Sequence, residues 1–354
     1  MRSCNKLMKV PVWIGLVVGV LLLAAACVAP QAPPPAAPEP AVVEEAGMKL
    51  DLSGQSVKFS SEQPHTINTT FFKMTDLLKE WGADVELIFH AGGTFGIATV
   101  LAGEVDVAEN DTDELLLGIA QGAEVRAFMT NTAHMDYVLI TTEDIAGVAD
   151  LKGKDIGMSG PAGFDALLSR VTLEREGLDA TDANFVQIGG SGDRATALGA
   201  GRIDAATIFV DDWLELEKKA ENLHALVYMA DIVPTITKGV YYAKTGWLEN
   251  NHDMAVGIAC AQLEANKWFH NNKQEWINSA LEDVEGATEE AVTETYEILL
   301  NIDMFPRDGG FDPAGVERLM DIMVETGDLE EPLPVEQALD RSFLDEALEM
   351  GCGQ

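Results

Sequence analysis

Residues with chemical capacity are concentrated in the segments that follow short apolar runs. The acids Glu62, Asp111, Asp136, Asp211 and Asp212 can each accept hydrogen bonds from amino or ring N–H groups. The rings of Tyr137, Phe164, Phe209 and Trp213, with Phe95, offer faces on which a flat molecule could stack. Ser61, Gly93, Thr94, Asn110, Ser159 and Gly163 add small donors and close backbone approach. Two groups bring positive charge or a ring nitrogen, His65 and Arg194, and Arg194 is the only arginine in these segments. Each residue also has a plainer use. Thr94, Thr112, Ser159 and Asp193 suit helix caps, the aromatics suit a core, and the acids suit a solvated surface.

Catalytic patterns are missing by contrast. The six histidines (His65, His90, His134, His224, His252, His270) form no H-E-x-x-H motif and no His/Cys set with zinc spacing. There is no G-x-S-x-G elbow and no P-loop, and Gly92-Gly93-Thr94 is too short for a dinucleotide fingerprint. The expectation is therefore a binding protein and not an enzyme, with no catalytic residue, no cofactor and no metal.

The elements that must position these residues alternate between strand and helix. Strands are expected at 57–60, 85–89, 105–108, 125–129 and 137–141, with helices at 67–81, 94–101 and 113–121. A second set follows: strands 155–158, 184–188 and 205–208, helices 164–176, 194–200 and 212–220. After a strand at 239–243 the chain turns helical, at 252–271, 289–300, 313–325 and 343–349. Short βα loops of this kind indicate an open, mostly parallel α/β sheet, here twice over, with a helical wrap at the C-terminus. Ligand chemistry in such folds lies beyond the carboxyl ends of the strands, facing helix N-termini. The segments 60–65, 91–95, 110–113, 159–164, 190–194 and 209–213 occupy that place, with Asp136, Tyr137, Pro234, Thr235 and Tyr241 on the connections between the two sets.

Ahead of the folded part, Arg2, Lys6 and Lys9 precede an uncharged apolar run that ends Ala24-Ala25-Ala26-Cys27. A basic flank, an apolar core and small residues at a cleavage point define a signal peptide over residues 1–26. The small residues leading into Cys27 resemble a bacterial lipobox, with Ala24 where leucine is usual, so Cys27 is the expected lipidation site. Residues 27–48 hold six of the chain's 14 prolines and read as an extended tether. Of the four cysteines, Cys260 and Cys352 remain in the mature domain. A disulfide between them is open in an oxidising compartment. The reading favoured here is a buried thiol at 260 and a frayed tail at 352.

One phrase occurs in each set. Leu101-Ala102-Gly103-Glu104-Val105-Asp106-Val107-Ala108 is echoed by Leu198-Gly199-Ala200-Gly201-Arg202-Ile203-Asp204-Ala205. In both, a leucine closes an amphipathic helix, a glycine can take the left-handed C-terminal cap, and an acid introduces the next strand. With these come Asp150-Leu151-Lys152-Gly153-Lys154-Asp155-Ile156-Gly157, Ser159-Gly160-Pro161-Ala162-Gly163, Met304-Phe305-Pro306, Gly309-Gly310-Phe311 and Phe343-Leu344-Asp345-Glu346-Ala347. Their order and spacing, over residues 52–348, resemble the extracytoplasmic solute-binding proteins of ABC importers, in the nitrate/taurine/sulfonate and thiamine-pyrimidine-precursor-binding class.

That resemblance implies a type II periplasmic-binding-protein fold, α/β, with two lobes, two crossovers near 137–140 and 233–241, and a helical wrap. Lobe one would comprise 49–139 and 235–354, and lobe two 140–234. It implies a monomer, held to the membrane by its lipid anchor, that captures a small-molecule solute between the lobes and passes it to an ABC permease. A pyrimidine or flavin-type vitamin precursor is the favoured solute, and a sulfonate, taurine or nitrate the alternative. A ligand sensor without a transporter, or a pyrimidine-forming enzyme in which His65 takes part, are the readings from other classes.

Charge narrows the field further. Asp and Glu number 59 against 23 Lys and Arg, for a net charge of −36, and loss of residues 1–26 removes three bases and no acid, leaving −39. Nucleic acid held by its phosphates is excluded as a partner, because that needs a basic face. A strongly anionic solute is disfavoured by the same argument, since a sulfonate or nitrate wants several donors and little negative charge nearby.

Overall fold

The computed structural model describes residues 49–90, 95–233 and 236–354. The expected signal peptide, Cys27, the tether, Gly93, Thr94, Pro234 and Thr235 lie outside the described residues. Among those described, no helix is long and apolar enough to cross a membrane.

Among the described residues, ten strands form two five-stranded sheets of matching design. The first sheet contains β1 (Ser56–Glu62), β2 (Asp84–His90), β3 (Val107–Asp111), β4 (Val125–Thr132) and β10 (Gly239–Lys244), in the order β2-β1-β3-β10-β4. The second contains β5 (Tyr137–Thr142), β6 (Asp155–Met158), β7 (Asn184–Gln187), β8 (Ala205–Phe209) and β9 (Leu223–Tyr228), in the order β7-β6-β8-β5-β9. Three parallel strands open each sheet, and the fourth position is taken by an antiparallel strand arriving from the other half of the chain. Strand β5 sits there after the outward crossing, and β10 after the return.

The repeated phrase acts in the same way in both sheets. Gly103 and Gly201 have φ of 74° and 64°, the left-handed cap that a side chain would strain. Asp106 then accepts the Lys58 backbone N–H at 2.9 Å, and Asp204 accepts that of Asp155 at 2.9 Å. Each acid thereby holds the first residues of the neighbouring parallel strand, β1 or β6, and helps fix its register.

Helices cover the sheets. His252–Asn271 is apolar on most sides and buried along most of its length, from Met254 to Phe269, chiefly against the helices Thr69–Glu80 and Ser342–Glu349 and also against β4. Pro313–Glu325 starts where the Asp312 side chain accepts the Ala314 N–H at 3.0 Å and proline takes the first helical position.

The two-sheet α/β fold and the helical C-terminal wrap agree with the sequence reading, and three departures stand out. The first crossing was expected at 137–140, with lobe one ending at 139. All of β5 instead pairs in the second sheet, Tyr137 opposite Phe209, so the chain changes sheets between Thr132 and Tyr137. Strand β9 and the helix Lys273–Asp283 were not anticipated.

The third departure is at the C-terminus, where Cys260 and Cys352 are disulfide-bonded and Cys352 is fully buried, in place of a free thiol and a frayed end. Gly351 and Gly353, with φ of 88° and 76°, turn the chain so that Cys352 faces the helix, and the Gly353 N–H reaches Glu264 at 2.8 Å.

Candidate ligand-binding cleft

The parallel strands end, and the antiparallel strands begin, at one place between the sheets. β1 delivers Glu62, β3 delivers Asn110 and Asp111, and β8 delivers Phe209. Lys238 and Asp136 stand immediately before β10 and β5, so the two crossings enter the same cleft. Helices then start from it at Thr112, Phe164, Ser191 and Val210.

Two small cavities lie there. One, of about 30 Å³, is walled by Glu62, Asp111, Asp113, Tyr137, Ser159, Gly163, Phe164 and Arg194. The other, of about 20 Å³, is bounded by His65, Asn110, Asp111, Phe209 and Lys238. Such volumes hold about one or two waters, so a larger solute fits only if the walls separate. A larger hollow of about 1150 Å³ lies on the flank, among the helices Phe95–Ala102, Thr112–Ala120 and Thr245–Asn250. Its charged and aromatic lining is Glu114, Glu124, Lys244 and Trp247, and it is the weaker candidate because the carboxyl ends of the parallel strands and both crossings meet at the cleft instead.

The cleft walls are held together by their own contacts. Asp211 accepts the Thr66 N–H at 2.8 Å, and the Tyr137 hydroxyl donates to Asp111 at 3.3 Å. Farther out, Arg170 grips both carboxylate oxygens of Asp328 at 2.7 and 2.8 Å.

The donors expected to meet a solute are largely committed to the protein. Arg194 is buried, donating to the carbonyls of Thr207 at 3.1 Å and Gly189 at 2.6 Å and lying 3.6 Å from Asp165. Ser159 donates from both its backbone N–H and its hydroxyl to Asp165, at 3.0 and 2.5 Å. A Cβ on Gly163 would fall 2.0 Å from the Ser159 oxygen, so a side chain there would have to displace this pair. Helix N-termini ordinarily welcome anions. Here Asp113, Asp165, Asp193 and Asp211 occupy the first turns themselves.

Negative charge dominates what remains. Burial pushes the Glu109 carboxyl up to about 7 and that of Glu114 to about 8. Desolvation likewise raises Glu62, Asp111, Asp113, Asp136 and Asp211. Lys238 is the counter-charge at the centre. Its ammonium lies 3.2 Å from Asp136, 3.5 Å from Asp111, and 4.8 and 5.2 Å from the ring centroids of Phe209 and Tyr137. Burial opposes its charge, but Asp136 and Asp111, then Glu62 and Glu109, outweigh burial and raise it.

Of the residues singled out from sequence, Glu62, His65, Asn110, Asp111, Tyr137, Ser159, Gly163, Phe164, Arg194 and Phe209 line the two cavities. Ser61 stands one layer behind, donating to Glu109 at 2.5 Å. Asp211 lines neither cavity and acts in the wall-to-wall contact with Thr66. Trp213 is a correction. It is packed in the second-sheet core beside Val138, Ile208 and Leu214. Two residues along a helix rotate by roughly 200°, so Trp213 turns away from the face that carries Asp211.

His65 bears on the expectation of no metal site without overturning it. Its Nδ1 and the carboxylates of Asp211 and Asp212 lie within 4.8 Å of one another, a donor set that could hold a cation. Protonation of His65 satisfies the same geometry, with the acids at 3.9 and 3.8 Å. Burial opposes the imidazolium, and Asp212, Asp211 and Glu62 raise its pKa overall.

Sequence reasoning missed Lys238 and Glu109, and it reached Asp113 only as part of the segment 110–113, without singling it out. Lys238 could have been found from its place before the return strand, the mirror of Asp136. The other two lie in an acidic chain without distinguishing spacing.

Glu109 makes the cleft pH-sensitive. Its folded pKa is raised, so the stability tied to its neutral form is complete below the unfolded value near 4.5 and is lost as pH climbs through about 7. Glu109→Gln should remove up to about 3 kcal/mol of this loss, seen in urea unfolding at pH 5 and pH 8. Parallel pH curves for the variant and the parent would contradict the assignment.

These elements define a class of two-sheet α/β proteins with a closable cleft between the sheets. A family model described as NMT1/THI5 like matches residues 73–276, more than half of the chain, and the protein belongs to that family. No curated protein sequence matches the chain. Among solved structures, the fold is similar to the ligand binding component of an ABC-type import system from Staphylococcus aureus with zinc bound. That match has 14% identity and a TM-score of 0.71, covering 83% of this chain and 99% of that one. The periplasmic nitrate-binding protein NrtA from Synechocystis PCC 6803 gives 12% identity and a TM-score of 0.73, covering 85% and 90%. The desulfurization enzyme DSZB gives 17% and 0.61, covering 84% and 99%. At these identities the likeness establishes the fold, and function has to be argued from the cleft.

Proposed function

We propose that this protein is the extracytoplasmic, lipid-anchored solute-binding component of an ABC importer, which closes on a small molecule and hands it to a permease. The solute is a nitrogen heterocycle of the pyrimidine or flavin-precursor kind. One observation carries the choice of solute: the cleft is lined by aromatic rings and carboxylates, while Arg194 is committed to backbone carbonyls and Asp165. A sulfonate or nitrate would find few free donors there and much like charge. The buried disulfide supports an oxidising compartment outside the cytoplasm. Opening would break the Thr66–Asp211, Tyr137–Asp111 and Arg170–Asp328 contacts, with the bending placed at the two crossings.

A ligand at a hundred times its Kd adds about 2.7 kcal/mol, which for a domain of this size raises the melting temperature by about 5 °C. Thermal shift against pyrimidines, flavins, sulfonates and nitrate should therefore give a rise with the heterocycles. No shift from any of them, together with no co-purified small molecule in native mass spectrometry, would overturn the reading. Cys27→Ser should release the protein from membranes, and unchanged retention of the variant would contradict the anchor.

A further inference from the structure

Two carboxylates in the larger cleft cavity have no close ion pair among the described residues, although Glu62 feels the more distant charges of His65 and Lys238. Asp113 is buried in the first turn of Thr112–Ala120, and Glu62 ends β1; both line the cavity. Among the described residues, neither forms an ion pair or accepts a hydrogen bond from a side chain, and Asp113 has only the backbone N–H of Glu114. The nearby cations have closer partners: Lys238, which also attracts Glu62 at longer range, sits between Asp136 and Asp111, and Arg194 sits on Thr207, Gly189 and Asp165. Tyr137 and Phe164 complete the cavity with rings 5.9 Å apart, one nearly perpendicular to the other.

A narrow cavity with two carboxylates that lack close ion pairs, walled by aromatic rings, is complementary to a flat organic cation. We propose that the cleft recognises its solute through a positive charge, an ammonium or a protonated ring nitrogen, that pairs with Glu62 and Asp113 while the ring rests against Phe164 and Tyr137. This rests on the solute-binding reading and narrows it, from nitrogen heterocycles in general to cationic ones. The charge of the solute then sets specificity: an isosteric neutral molecule leaves both acids unpaired, and an anion adds repulsion.

The test uses one ring carrying three charges: pyrimidin-5-ylmethanamine, pyrimidin-5-ylmethanol and pyrimidine-5-carboxylate, with benzylamine, benzyl alcohol and benzoate as a second set. Calorimetry or ligand-observed NMR on the mature chain should show each amine binding at least about tenfold more tightly than its alcohol, with the carboxylates weakest. Glu62→Gln and Asp113→Asn should each shrink that ratio, and together bring it to about threefold or less, with circular dichroism reporting that the fold is kept. The proposal is overturned by an alcohol or carboxylate that binds as tightly as its amine, by a preference that survives the double variant, or by amines that fail to bind at 10 mM. Tight binding of a neutral or anionic probe would leave the solute-binding reading standing and remove only the cation subsite. Silence of every probe, with no co-purified molecule, would remove both.

Discussion

Replacing Lys238 with methionine is expected to lower the unfolding free energy by about 3–5 kcal/mol at pH 8, because it strands buried charge. Asp136 is fully buried and neither of its oxygens accepts a hydrogen bond within normal geometry, so the lysine 3.2 Å away is its compensation. Asp111 loses the same partner. The cost should fall at acidic pH, where both carboxyls, already raised by burial, can neutralise themselves by taking up protons. A Lys238→Met, Asp136→Asn double variant should recover much of the loss, as removal of both partners of a buried pair usually does. Urea unfolding of the three proteins at pH 5 and pH 8 checks this. A loss below about 1 kcal/mol at pH 8 for the single variant would mean that the ammonium is solvated and not central to the cleft.

The second large effect concerns the C-terminus. The Cys260–Cys352 bond closes a loop across 92 positions, which at the chain-entropy limit stabilises the fold by about 4–5 kcal/mol. Cys260→Ala with Cys352→Ala should lose a sizeable part of that and release the last residues from the helix His252–Asn271. Reduction of the parent should reproduce the change in unfolding midpoint. Labelling of Cys260 and Cys352 by a thiol reagent in the denatured, unreduced protein, located by peptide mapping, would contradict the bond itself.

Much of the scaffold was legible from the chain because local signals and tertiary need coincide. The spans His252–Asn271 and Pro313–Glu325 match the apolar periods read from sequence, the second with an aspartate cap and proline at its start. The repeated Gly-x-x-Asp phrase behind a helix-ending leucine placed two helix ends and two strand starts, although the bond from each aspartate to the neighbouring strand depends on tertiary pairing.

What stayed hidden was whatever depends on pairing between distant segments. Tyr137 belongs with the second sheet only because β8 lies beside it. The two cysteines carry no spacing signature, so the sequence could not tell a bond from a free thiol and a loose end. Trp213 looked like a stacking platform until helix phase turned it into the core. Lys238 was concealed by the run Thr235-Ile236-Thr237 ahead of it, and its role exists only where both crossings meet. The acidity read at the outset as a property of the surface extends into the cleft, where it governs which solutes are acceptable.

The central claim is that one small molecule is held between the two sheets, and hydrogen–deuterium exchange tests it most directly. Adding the molecule identified by native mass spectrometry should slow exchange in segments from both sheets together. These are residues 62–68 and 110–114 on one side and 159–165, 190–194 and 209–212 on the other, because closure protects both walls. Protection confined to the flank hollow near Leu117, Trp247 and Asn250, or to one sheet alone, would contradict the account.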